Sequence, residues 1–203
     1  MARISSADRR TALIDAAVRV IGRDGVHGAT TRAIVAEAEM SLASFHYVFT
    51  SRDEMLRELI DSIIQTESLA ALSSIAPSHD IHTALRRGLQ AYFDLVTSEP
   101  AHEQAMTELL LHALRTPELA DLPKTQYSRS YAAVGTLLDN AAANAHVRWS
   151  IPTDDVARLV VTLTDGVTLA WLADRDTAAC GRILDFAANS IAALALPLRS
   201  AVQ

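Results

Sequence analysis

The chain has 203 residues, half of them apolar, and a formal net charge of −6. That length fills one large or two modest hydrophobic cores, and no apolar run reaches the roughly 18 residues a membrane span needs. The single cysteine, Cys180, excludes an intrachain disulfide and a cysteine-held zinc and reads as a small apolar core residue.

Ala and Leu favour helix, and the prolines fall between apolar-periodic stretches. No stretch alternates persuasively as a strand does, so an all-α chain of about nine helices is expected. The first runs from about Ala7 to Ile21 with Leu13, Ile14, Ala17, Val18 and Ile21 on one face, and Gly22 or Gly25 closes it. Thr30 has the chemistry of an N-cap for a short helix from Thr31 to Ala38. Glu39, Met40 and Ser41 make a tight turn into a third helix, Leu42 to Val48, that buries Phe45. Ser51 and Glu54 form a capping box for a fourth, which continues through Ile63 toward Leu72. Further helices are expected near His79–Ser98, Ala101–Arg115, Lys124–Ala145, Thr153–Ala173 and Thr177–Leu196.

A long packing helix followed by two short helices on a three-residue turn describes a helix-turn-helix, whose last helix enters the major groove. Charge agrees with that division. Residues 1–50 carry a balance of +1, and residues 51–203 one of −7. An acidic body helps aim the other end at DNA.

The stretch from Thr30 to Leu56 resembles the N-terminal domain of the TetR (tetracycline-repressor-like) family. Thr30, Ile34, Ala38, Ser41, Phe49 and Ser51 match that family's pattern as written, and Val35, Met40, Phe45, Arg52 and Met55 are close substitutes, without a gap. Four positions depart from it. Glu39 and Ala43 replace glycines, His46 stands for a tyrosine, and Val48 for a histidine that meets phosphate. Either position 39 keeps a positive φ at a cost of about 1 kcal/mol, or the turn is rebuilt.

The resemblance implies a DNA-binding domain over residues 1–52 and a helical ligand-binding and dimerisation domain over 53–203. By the same resemblance Thr31, Arg32, His46, Tyr47 and Arg52 face the DNA backbone, while Leu42, Ala43 and Ser44 face bases. Arg3, Arg9 and Arg10 are read as a basic arm. The last two helices would join two copies, so that paired reading helices meet a pseudo-palindromic site. A small-molecule effector would bind among Phe93, Met106, Leu110, His112, Tyr127, Tyr131 and Trp171, with Asp165 as polar anchor, and favour a dimer that no longer fits DNA.

The expectation is thus a cytoplasmic repressor with no cofactor and no metal. The alternative is a helical ligand-binding or interaction protein that has lost DNA binding. An enzyme is not expected, because no HExxH, phosphate loop, di-iron motif or nucleophile elbow is present.

Overall fold

A computed structural model describes residues 5–60 and 78–198. The fold is all-α, with nine α-helices among the described residues. In chain order these are α1 (Ser6–Gly28), α2 (Thr31–Glu37), α3 (Leu42–Val48), α4 (described over 52–60), α5 (Ile81–Ser98), α6 (Pro100–Ala113), α7 (Leu122–Asn144), α8 (Thr153–Asp174) and α9 (Thr177–Ala192). A 3-10 turn at Pro117–Leu119 and the strands β1 (Val147–Trp149) and β2 (Ala195–Pro197) complete the set. The expected run of the fourth helix through Ile63 to Leu72, and Arg3, lie outside the described residues.

Packing divides the chain into two compact units, residues 1–64 with 99–126 and residues 65–98 with 127–203. The first groups α4 and α6 with the three N-terminal helices, beyond the functional boundary expected at residue 52. Its α1 is capped by Ser5, whose hydroxyl accepts the Asp8 N–H, and buries Leu13, Ala17, Val20 and Ile21. The helix does not stop at Ile21. It breaks at Gly25, whose φ of 73° and ψ of 169° only glycine adopts without strain, and gives one more turn to Gly28. The Glu108 carboxylate from α6 accepts the Val26 N–H at 3.0 Å and so caps the restart. Gly22 serves a different need, since a Cβ there would lie 2.8 Å from the Ala101 carbonyl oxygen where α6 crosses α1. Phe45, Phe49, Ile34, Met55, Leu59 and Leu109 close this core, each 1% exposed or less.

In the second unit α5 packs on α8 and α9. Leu89, Phe93, Val96, Leu138, Val156, Trp171, Leu184 and Ile191 are buried there, with Cys180 among them. Two three-residue strands, one after α7 and one after α9, add to the expected all-α fold. α9 ends at Ala192, within four residues of the expected Leu196, and residues 195–197 pair antiparallel with 147–149 (Val147 with Pro197, Arg148 with Leu196, Trp149 with Ala195). Strands of three residues are too short to display a period of two. Buried Trp149 anchors the pair to the core.

Helix α8 is long and apolar enough by composition to cross a membrane. Asp154, Asp155, Arg158, Asp165 and Asp174 interrupt it, however, and it packs on α5 and α9.

Candidate nucleic-acid interface

Helix α3 is set by three local devices. Thr30 caps α2, its hydroxyl accepting the Ala33 N–H at 3.2 Å. Ser41 caps α3 in the same way through the Ser44 N–H, also at 3.2 Å. Between them, the Met40 N–H reaches the Val35 carbonyl (2.8 Å) and the Glu39 N–H that of Ala36 (3.1 Å). These two bonds, with Glu39 at φ 54°, form a Schellman C-cap. The turn therefore keeps the positive φ that a glycine would favour, although the residue is glutamate.

Helix α3 then has two distinct sides. Phe45 and Val48 point into the core, where the Phe45 ring lies 5.4 Å from that of Phe49. Leu42 (42% exposed), Ala43, His46 and Tyr47 (69% exposed) face out. Ser44 is half-buried, with its hydroxyl 3.0 Å from that of Ser41. On α2, Arg32 is exposed and Thr31 half-buried in the first turn. The exposed side chains are thus Leu42, Ala43, His46 and Tyr47 on α3 and Arg32 on α2.

Several arginines have internal duties. Arg10 ion-pairs with Glu58, donates to the Val48 carbonyl at 2.5 Å and lies 4.7 Å from the Phe49 ring centroid. It thus joins α1, α3 and α4. Arg9 lies 5.4 Å from the Tyr47 ring centroid. Both residues belong to α1, which corrects the expectation that they form an arm. Arg52 donates to the Val26 carbonyl and to that of Ala29 (2.7 Å), tying α4 to the α1–α2 junction. Arg19 and Arg23 both bind Glu37, which holds α2 on α1 and lowers that carboxyl's pKa. The capping box at α4 is shifted by one residue: Ser51 caps the Glu54 N–H, but the Glu54 carboxylate returns to the Thr50 N–H at 2.7 Å and not to that of Ser51.

A family model described as "Bacterial regulatory proteins, tetR family" matches residues 13–59, and one for the "BetI-type transcriptional repressor, C-terminal" matches residues 82–196. The chain belongs to the TetR family. It is similar to the nicotine-responsive transcriptional repressor HdnoR of Paenarthrobacter nicotinovorans, 34% identical over 85% of this chain and 88% of that one. The regulator BetI of Agrobacterium fabrum is 29% identical over 78% of this chain and 74% of that one. Among solved structures, a transcriptional regulator from Rhodococcus superposes with a TM-score of 0.77 at 19% identity, covering 94% of this chain and 99% of that one. The chain is a TetR-family helix-turn-helix transcriptional regulator.

Against the TetR pattern, Val48 becomes intelligible. The position is 6% exposed and belongs to the core, and its carbonyl is taken by Arg10. Sequence reasoning missed Arg10 and Glu108 as positioning residues, because their partners lie 38 to 82 residues away and leave no local signal.

The residues expected to hold an effector fall in both units of this TetR-family chain. Met106 (buried), Leu110 and His112 (both half-buried) belong to the first, where His112 stands edge-on to His27 at 5.7 Å. In the second, the Tyr127 hydroxyl donates to Asp165 at 2.8 Å, Tyr131 lies 5.8 Å from Tyr127, and Phe93 stands edge-on to Trp171 at 6.1 Å. Burial raises the Asp165 pKa, and burial with the Asp165 bond raises that of Tyr127.

Proposed function

We propose that this TetR-family chain is a cytoplasmic repressor that binds a pseudo-palindromic operator as a homodimer and is released by a small-molecule effector. The observation that carries the DNA-binding part is the outer face of α3, with Leu42, Ala43, His46 and Tyr47 exposed on a capped, seven-residue helix. In this reading Leu42 and Ala43 meet thymine methyls, Ser44 a base edge, and Thr31, Arg32, His46 and Tyr47 the backbone. Arg52 acts mainly by holding the two short helices in place, because two of its nitrogens already serve backbone carbonyls.

Dimerisation is supported by the outer faces of α8 and α9. Leu159, Leu169, Ile183 and Phe186 are 39%, 52%, 49% and 70% exposed. Gly166, costly within a helix, has nothing within 4 Å of where a Cβ would lie. A second copy packed there would bury the apolar side chains and use the room left at Gly166. The nicotine response in the name of the HdnoR relative supports an effector.

The test is titration of the full chain with a duplex selected from a random pool, at falling salt. We expect salt-dependent binding, and Tyr47→Ala and His46→Ala should each weaken it by about 1 kcal/mol or more without moving Tm. Absence of any salt-dependent association would overturn the reading.

A further inference from the structure

From Leu42 to Val48 helix α3 holds no lysine or arginine, and its one basic residue is His46. Val48, where the TetR pattern has a histidine that meets phosphate, is buried. A surface that grips DNA draws much of its affinity from cations set against phosphates, so α3 needs one from elsewhere. The fold brings it from α1. The Arg9 guanidinium carbon lies 5.4 Å from the centroid of the Tyr47 ring. Arg9 is half-buried and Tyr47 exposed, so the pair stands at the border of the outer face of α3. Its neighbour Arg10 goes the other way, to Glu58 and the Val48 carbonyl, and joins helices. Arg9 precedes residue 13, where the family match begins, so that match assigns it no role. A guanidinium is attracted to a ring face as a charge, and its N–H donors lie at its own edge. Contact with Tyr47 and hydrogen bonds to an anion are therefore compatible.

We propose that Arg9 and Tyr47 act as one DNA-contacting unit, in which the guanidinium fixes the ring on the outer face of α3 and itself binds a backbone phosphate, in place of the histidine that Val48 replaces. The assignment rests on the reading of that face as a DNA-binding surface and adds to it a residue from outside the two short helices. Loss of the charge is then felt at the phosphate and at the ring together.

Fluorescence-anisotropy titration of the full chain with a selected duplex, repeated over a series of salt concentrations, tests it. Arg9→Ala should weaken binding about tenfold and lower the slope of log affinity against log salt by about 1. Arg9→Lys, which keeps the charge, should keep the slope. In a Tyr47→Ala background the Arg9→Ala change should cost at least about threefold less than in the unaltered chain, because the two side chains act together. Should Arg9→Ala lose helix content, Arg9→Gln, uncharged and closer in length, decides by the same slope. An unchanged slope in either folded variant, or losses that simply multiply in the double variant, overturns the proposal. If the unaltered chain still binds in a salt-dependent way, the DNA-binding reading stands without it. An unaltered chain with no salt-dependent binding strikes that reading and the proposal together.

Discussion

Glu39 occupies a backbone conformation, φ 54°, that a Cβ makes unfavourable, at the turn on which α2 and α3 depend. Two hydrogen bonds, from the Met40 and Glu39 N–H groups, hold it there. Glu39→Gly should therefore stabilise the chain by about 1 kcal/mol in urea unfolding, and an unchanged or lowered midpoint would contradict the strain. Asp165 carries a cost of another kind. Burial raises its pKa in the folded state, so the folded chain binds this proton more tightly than the unfolded one. Its contribution is most favourable below the ordinary value of 3.8 and is lost as pH rises through the folded pKa. At neutral pH Asp165→Asn should thus be at least as stable as the unaltered chain in thermal melts, and a marked loss of Tm would assign the carboxylate a structural duty.

Among the helices, α6 stands out for what it supports in the first unit. Its Glu108 caps the restart of α1 after Gly25, and its Ala101 carbonyl leaves room at residue 22 only for glycine. It also carries His102 and His112, whose pKa values are both lowered, each by burial first and His112 further by Arg52 and His27. The unfolded chain then binds these protons more readily. Their stabilising contribution is complete above the ordinary value of 6.5 and is lost as pH falls through the folded values. Unfolding measured from neutral to mildly acidic pH should show falling stability, with a shallower slope in His112→Gln. An equal slope would mean that His112 titrates alike in both states. Helix α3 depends on this support indirectly, since α1, against which it buries Phe45, is held by α6.

For the whole molecule, the unpartnered apolar faces of α8 and α9 make assembly the property to measure. Phe186, 70% exposed, contributes little to a single subunit's core. Phe186→Asp should convert a dimer to a monomer in light scattering, abolish any dependence of Tm on protein concentration and weaken operator binding, with helix content kept. A monomeric unaltered chain would refute the paired architecture. The helix-turn-helix was legible in the residues because caps, turn and core spacing are local: Thr30, Ser41 and Phe45 act within a few residues of themselves. The same locality made α3 readable from Leu42 to Val48. Three-residue strands, the role of Arg10 and the meaning of Val48 were not legible, because each depends on partners distant in sequence. The residues by themselves determined helix content, the bihelical hairpin and the family. Tertiary packing alone decided that Arg52 clamps backbone carbonyls, that Tyr127 meets Asp165, and which apolar residues remain outside a core. Those outcomes follow from which surfaces meet after the chain folds back, and no window of local periodicity contains that information.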